Sequence, residues 1–154
     1  GGQSLGRPSW LDAQRKGSMP EPGSRAAMTD SEAPVHDPID EGLRLFNEGY
    51  FFEAHEVLED LWHQEHGEPR LFLQGLIQLC AGFHHFQSGN LSGASALLGR
   101  GIEKIRGYPE RYLGFDTRRL ISDIEDCRRT IDRIHGTAGE STLAFPKLRR
   151  TEGA

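Results

Sequence analysis

One short stretch of the chain concentrates the residue types that could do chemistry. His55, Glu56 and Glu59 form a His-Glu-x-x-Glu string inside a segment whose apolar residues recur at helical spacing. On a helix, His55, Glu59 and Trp62 share one face, with Glu56 at its edge. An imidazole and a carboxylate one turn apart can bind a metal ion or hydrogen-bond a neighbouring helix, so the stretch is a candidate site with more than one interpretation.

The first interpretation is metal-dependent hydrolysis. Zinc peptidases carry His-Glu-x-x-His on a helix, where the two histidines bind the metal and the glutamate acts as general base. Here Glu59 stands where the second histidine would be, so His55 and Glu59 would be the ligands and Glu56 the base. His84 or His85 would supply a further ligand from the next helix. The Glu-x-x-His pair that di-iron bundles repeat on facing helices is absent from the sequence.

The other interpretations involve the polar row of the next helix. Gln74 and Gln78, four residues apart, are well spaced to meet the carboxylates opposite. Each buried polar group without a partner costs about 1–3 kcal/mol, so this set predicts either a hydrogen-bond network that fixes helix register or a polar groove that binds a small ligand or a protein partner. We favour the groove, in a non-enzymatic module with no catalytic residue, cofactor or metal assigned. The predicted ligand-binding residues are His55, Glu56, Glu59, Trp62, Gln74, Gln78 and His85.

Five helices are predicted to position these residues, and no β-pattern is recognisable. Prolines fit the first turns of the first and third helices, Asp37 and Asp116 are predicted N-caps, and Gly49 is a predicted C-cap. The predicted helices span residues 38–49, 50–66, 69–87, 91–106 and 116–135.

The third helix is predicted to be the buried centre of the fold. Its apolar residues, Leu71 included, surround it almost completely. Gly75 and Gly82 lie seven residues apart on one face, which indicates that a neighbouring backbone approaches closely there. A weak repeat, Gly-x4-Ala at residues 49–54 and 89–94, is typical of helical hairpins. The predicted fold is therefore all-α: one compact bundle of about five helices with hairpin packing resembling that of tetratricopeptide repeats.

The flanks of the helical domain, residues 35–136, are predicted to be less ordered. Residues 1–34 resemble a disordered leader that is partly vector-derived, and residues 137–154 a mostly flexible tail. The apolar run from Leu143 to Leu148 is expected to dock on the bundle or on a partner, and the basic residues Lys147, Arg149 and Arg150 are expected to be solvated. A homodimer could use aromatic residues expected to be exposed, namely Tyr108, Tyr112 and Phe145.

Charge and composition exclude several classes of function. The chain has 154 residues, enough for one domain, and its net charge of −5 argues against binding nucleic acid. Cys80 and Cys127 stand at helical apolar positions, so we interpret both as buried thiols in a reducing compartment. No apolar run is long enough to span a membrane, and we expect a cytoplasmic protein.

Two surface ion pairs are also expected. Glu125 and Arg129 are spaced for a favourable pair on the fifth helix. Arg70, at the start of the third helix, could reach Glu65 or Glu68, in a pair that would contribute little stability.

Several segments together resemble the domain of unknown function 309 family. The matching segments are Ala54–Trp62, Arg70–Gln78, Gly89-Asn90-x2-Gly93-Ala94 and Gly114-Phe115-Asp116, within residues 37–135. The resemblance implies a small all-helical domain. It implies no established activity, and therefore leaves the function open.

Overall fold

A computed structural model of the protein describes residues 37–136 and 142–151, which lie within one compact unit. The predicted leader, residues 1–34, lies outside the described residues. The helices and strands are α1 (Pro38–Asn47), α2 (Phe51–Gln64), α3 (Pro69–Gln87), α4 (Leu91–Arg106), β1 (Arg111–Tyr112), β2 (Phe115–Asp116) and α5 (Thr117–His135). The predicted all-α fold with five helices is confirmed.

Helix boundaries follow from local capping. The side chain of Asp37 accepts a hydrogen bond from the Ile39 N–H at 2.9 Å, and Asp116 accepts one from the Arg119 N–H at 3.1 Å. Gly49 and Gly89 follow α1 and α3 with φ of +90° and +88°, a conformation that only glycine adopts cheaply. The predicted caps are confirmed because each depends on groups within a few residues.

Consecutive helices are neighbours, and α3 is the central one. It packs against α2 on one side and α4 on the other, while α1 packs on α2 and α5 on α4. Short connections between neighbouring helices give the hairpin packing that the sequence predicted. The core of α3 is as expected except at Leu71, which is 50% exposed; the prediction that it points inward is wrong.

The two glycines of α3 mark its contact with α4. A Cβ at Gly75 would lie 3.1 Å from the carbonyl oxygen of Gly101, and one at Gly82 would lie 3.2 Å from that of Ala94. Both distances are tighter than ordinary side-chain contacts, so the close backbone approach is confirmed.

The expectation of no β-structure is wrong for one short hairpin. β1 and β2 pair antiparallel, with Arg111 opposite Asp116 and Tyr112 opposite Phe115. Leu113 and Gly114 turn the chain with φ of +50° and +84°. Two residues per strand are too few for an alternating pattern, so periodicity could not reveal the hairpin.

Part of the C-terminal segment lies against the bundle. The Leu148 N–H donates to Oδ1 of Asn47 at 2.7 Å, and Nδ2 of Asn47 donates to the Leu148 carbonyl at 2.9 Å. Phe145 packs against Phe51, Phe83 and Phe86. The apolar run therefore docks on the bundle, whereas the domain boundary at residue 136 stays a prediction.

Two expectations about surface residues near this segment are wrong. Arg150 is not solvated, because its side chain is only 17% exposed and pairs with Asp37 and Asp40. The aromatic residues expected to be free for a dimer pack within the domain; the Tyr108 hydroxyl donates to the Glu68 carbonyl at 2.6 Å and accepts from the Phe72 N–H at 3.0 Å. Tyr112, like Tyr108, packs its ring edge-on against Phe72.

The predicted pair between Glu125 and Arg129 is also wrong. Glu125 pairs with Arg106 of α4 at 3.1 Å, and Arg129 pairs with Asp126 on its own helix. An ion pair between helices depends on their packing, which the i,i+4 rule does not include. Among the described residues, no helix combines the length and the apolar character needed to cross a membrane.

Candidate functional site

α2 turns three of the predicted site residues into the interior. His55, Glu59 and Trp62 are 1%, 4% and 3% exposed, because they share the face of α2 that packs on the bundle. Glu56 is half-buried at the edge of this face, as its helical position predicts. The three residues therefore share one buried face of α2, and Glu56 lies at the edge of that face.

α3 carries two glutamines at the levels of these residues of α2. Gln78 is buried, with 3% of its surface exposed, and Gln74 is half-buried. The four-residue connection after α2 makes the helices antiparallel neighbours, so counting outward from it places Gln78 at the level of His55 and Gln74 at the level of Glu59. The register therefore places the polar row of α3 at the levels of the polar face of α2, and Gln78, one turn from both Gly75 and Gly82, lies beside the face of α3 that packs on α4.

Two buried atoms of this interface have no hydrogen-bond partner among the described residues. They are the indole Nε1 of Trp62, a donor, and the amide Oε1 of Gln78, an acceptor. Each such atom costs about 1–3 kcal/mol when it is shielded from water. These two atoms distinguish the interface from a fully satisfied network of buried polar groups.

Arg70 covers Trp62. Its guanidinium carbon lies 3.8 Å from the centre of the indole ring, and its Nε donates to the Trp62 carbonyl at 3.4 Å. The expected pair with Glu65 or Glu68 is wrong, because the first turn of α3 directs Arg70 over the last turn of α2. Stacking of this kind contributes about 0.5–1 kcal/mol at an exposed position. Sequence reasoning missed this contact because no local pattern predicts it.

A histidine links the interior of the site to its surface. Nε2 of His63 lies 3.7 Å from Oε2 of Glu59, one turn along α2, and His63 is exposed. Glu59 therefore stands between His55, one turn before it, and His63, one turn after it.

The structure does not bring His85 to this group. Its Nδ1 lies 3.1 Å from Nδ2 of Asn90, at the end of α3, and burial together with the charge of His84 lowers the pKa of His85. The ring of Phe52 instead lies beside both His55 and His84, at centroid distances of 5.7 Å and 5.4 Å. Sequence reasoning missed Phe52, although its position three residues before His55 on the same helix was a usable signal.

The chemistry open to the described residues is narrow. They contain no group of three His, Cys, Asp or Glu side chains placed to hold a metal ion. Neither cysteine is an activated nucleophile, because burial raises the pKa of Cys80 and raises that of Cys127 to about 11. The interface is instead suited to hydrogen bonding, with donors and acceptors shielded from water.

A known family covers the part of the chain that forms this site. Residues 39–97 match the family described as Domain of unknown function (DUF309), a span that contains α1 to α3 and the first part of α4. The resemblance seen in the sequence is confirmed over this span, which includes every residue of the α2–α3 interface.

Two curated proteins are similar to this chain, and neither has an assigned function. "Uncharacterized protein YpuF" of Bacillus subtilis (strain 168) is 28% identical over 87 residues, which are 54% of this chain and 50% of that protein. An "Uncharacterized protein" of Aquifex aeolicus (strain VF5) is 24% identical over 89 residues, 57% of this chain and 27% of that protein. The chain therefore matches half or less of each relative's length. These similarities do not assign it a function.

Proposed function

We propose that this domain, whose residues 39–97 match a family of unknown function, is a non-enzymatic module that binds a small polar molecule between α2 and α3. The observation that carries the proposal is the pair of buried, unpartnered atoms, Nε1 of Trp62 and Oε1 of Gln78. One is a donor and the other an acceptor, and the register places them about two helical turns apart, so a polar molecule long enough to span that distance, with an acceptor at one end and a donor at the other, would satisfy both.

Burial favours a small molecule over a protein partner as the ligand. Trp62 and Gln78 are each 3% exposed, so a protein that only touched the surface would not reach them. The ligand would enter by local separation of the helices where Arg70 and the exposed His63 lie against the Trp62 ring. His55 and Glu59, on the same face of α2, would complete the polar wall of the site.

Two substitutions separate binding from architecture. Gln78→Leu removes the orphaned acceptor, and Trp62→Phe removes the orphaned donor but keeps a ring. Because its amide oxygen has no partner in the described chain, we expect Gln78→Leu to keep its free energy of unfolding within about 1 kcal/mol of the wild type, or to raise it. We expect Trp62→Phe to lose no more than about 1–2 kcal/mol, because the smaller ring leaves part of a buried space empty. Gln64→Leu, at an exposed position of α2, is the matched control, and urea denaturation is the measurement.

Binding itself is followed at the Trp62 indole. The free amino acids and the nucleosides form a suitable panel of small molecules with both donors and acceptors. We expect a member of the panel to shift the indole N–H resonance of Trp62 in ¹⁵N spectra, and Gln78→Leu to weaken its affinity about tenfold, the value of one lost buried hydrogen bond.

Two results would contradict the proposal, and each points to a different error in it. If Gln78→Leu and Trp62→Phe each lower the free energy of unfolding by more than about 2 kcal/mol, the polar residues hold the helices together and the structural alternative is correct. If no member of the panel moves the indole resonance, the proposed ligand class is wrong.

A reducing compartment such as the cytoplasm is the location we propose. Cys80 and Cys127 are both free thiols buried in different helices, and buried unpaired cysteines are typical of proteins from reducing compartments.

A further inference from the structure

A separate cavity of about 840 Å³ lies between α5, the β1–β2 hairpin and the C-terminal segment at residues 144–151. Its volume is in the range of small-molecule sites. None of the residues of the α2–α3 interface lines it. Its apolar wall includes four side chains that are each no more than 6% exposed, namely Phe115, Leu120, Cys127 and Leu148.

The charged residues around this cavity are mostly basic. The cations are Arg111, Arg119, Lys147, Arg149 and Arg150, and the carboxylates are Asp116, Asp123 and Asp126. Five cations against three carboxylates give the lining a formal charge of +2, in a chain whose net charge is −5. The lining of the cavity therefore has a net positive charge, whereas the protein as a whole has a net negative charge.

Ion pairing does not remove the excess positive charge. Arg150 is paired with carboxylates of α1, outside the cavity, and Arg119 lies 3.9 Å from Asp123. The remaining three cations have no carboxylate within 4 Å in the described part of the chain; they are Arg111, Lys147 and Arg149. Arg111 donates to the Thr151 hydroxyl and Lys147 to the Asn47 carbonyl, and both of these acceptors are neutral.

The N-terminus of α5 borders the same space, since Asp116, Arg119 and Leu120, all in or next to its first turn, line the cavity. The Asp116 carboxylate already caps this terminus by accepting the Arg119 N–H, so the positive charge of the cavity comes from its cationic side chains.

We propose that this cavity binds a small organic anion that has an apolar body. The body would pack on Leu120, Cys127 and Leu148, and the carboxylate, sulfonate or phosphate group would pair with Lys147 and Arg149. Removing an apolar body from water and neutralising uncompensated cations both favour such a ligand over an inorganic ion or a neutral compound.

The test uses the full chain and a matched pair of fluorescent probes. Anilinonaphthalene sulfonate is an aromatic anion, and N-phenylnaphthylamine is the same aromatic system without the sulfonate. We expect saturable one-to-one binding of the anion, about fivefold weaker binding of the neutral probe, and loss of this difference as salt is raised from about 50 to about 500 mM. Displacement by naphthoate or by naphthyl phosphate then shows which anionic group the site prefers.

Variants locate the probe. The double variant K147Q/R149Q should weaken binding of the anion about fivefold, whereas R100Q/R118Q removes the same charge from exposed positions outside this cavity and should leave its affinity within about twofold. Ala144→Trp places a large side chain on an exposed residue of the lining and should abolish binding without lowering the melting temperature.

Three results would overturn the proposal. One is the absence of saturable binding of the anion to the wild-type chain. Another is an equal loss of affinity in both double variants, which would mean that only net charge matters. The last is equal affinity for the anionic and the neutral probe at low salt, a result that needs no variant and is therefore independent of any effect on folding.

Discussion

Arg150 joins the C-terminal segment to the start of the helical domain. Its terminal nitrogen lies 3.0 Å from Oδ2 of Asp37 and 2.8 Å from Oδ1 of Asp40, and its Nε donates to the Leu113 carbonyl at 2.7 Å. Asp37 is at the same time the N-cap of α1. One guanidinium therefore contacts the helix cap, the helix and the hairpin turn.

This contact predicts a pH-dependent contribution to stability. Burial acts to raise the pKa of Asp37, but hydrogen bonds from Arg150 and from the Ile39 N–H, together with the charge of Arg150, lower it below the ordinary value of 3.8. A carboxyl group with a lowered pKa stabilises the folded state above that value, and this stabilisation is lost as the pH falls through the folded pKa.

We expect Arg150→Gln to lower the free energy of unfolding by about 1–2 kcal/mol at neutral pH. The difference from the wild type should shrink below about pH 4, where Asp37 becomes protonated. Urea denaturation across pH measures it, with Arg149→Gln, at an exposed neighbouring position, as the control. A difference that stays constant down to pH 2–3, about a unit or more below the ordinary carboxyl pKa, would show that Arg150 acts by packing and by its bond to the Leu113 carbonyl rather than through the carboxylates.

At the scale of helices, the contact between α3 and α4 depends on the absence of side chains. A Cβ at Gly101 would lie 2.8 Å from the Gly75 carbonyl oxygen and 2.7 Å from Cδ2 of Leu79. The carbonyl belongs to the backbone of α3 and cannot move without shifting the helix. The sequence predicted a close approach at Gly75, but it did not identify Gly101 as the partner, because the register of two helices depends on their packing.

Gly101→Ala should therefore destabilise the domain. Alanine gains about 1 kcal/mol of helix propensity, but the overlap with α3 costs about 1–3 kcal/mol or more, so we expect a net loss of about 1–2 kcal/mol by thermal or urea unfolding. Gly107→Ala is the control, since a Cβ there meets nothing nearer than 3.7 Å. Equal stability of the two variants would contradict the close contact described for α3 and α4.

At the scale of the whole molecule, the C-terminal segment completes the domain. Leu148 is 6% exposed and is bonded through both its backbone groups to Asn47, which lies 101 residues earlier in the chain. The Thr151 N–H donates to the Gly114 carbonyl at 2.7 Å. The segment thereby forms one wall of the proposed anion cavity, so its attachment is a condition of that site.

Leu148→Ala should loosen this attachment. A buried leucine truncated to alanine costs about 2–5 kcal/mol, and we expect the lower end of this range because only the end of the chain must separate. The amide protons of Leu148 and Thr151 should exchange faster with solvent, as measured by NMR, whereas Arg149→Ala, at an exposed position, should leave both unchanged. Unchanged exchange in Leu148→Ala would mean that the polar contacts of the segment, rather than the buried Leu148 side chain, hold it in place.

The candidate site shows how far sequence reasoning reached. The shared face of His55, Glu59 and Trp62 was predictable because helical spacing is local. The stacking of Arg70 on Trp62 was not, because it depends on how the first turn of α3 crosses the last turn of α2. Self-association was expected because aromatic residues were predicted to be exposed. Those residues pack within the domain, so they no longer support it. Self-association stays a prediction, and light scattering would measure it directly.

The sequence alone determined the five helices, their caps and the central position of α3, since each follows from side chains and backbone groups a few residues apart. Only the tertiary structure decided which buried polar atoms lack a partner and where the C-terminal segment lies. Both depend on contacts between residues far apart in the chain, whose geometry is set by the packing of the whole core.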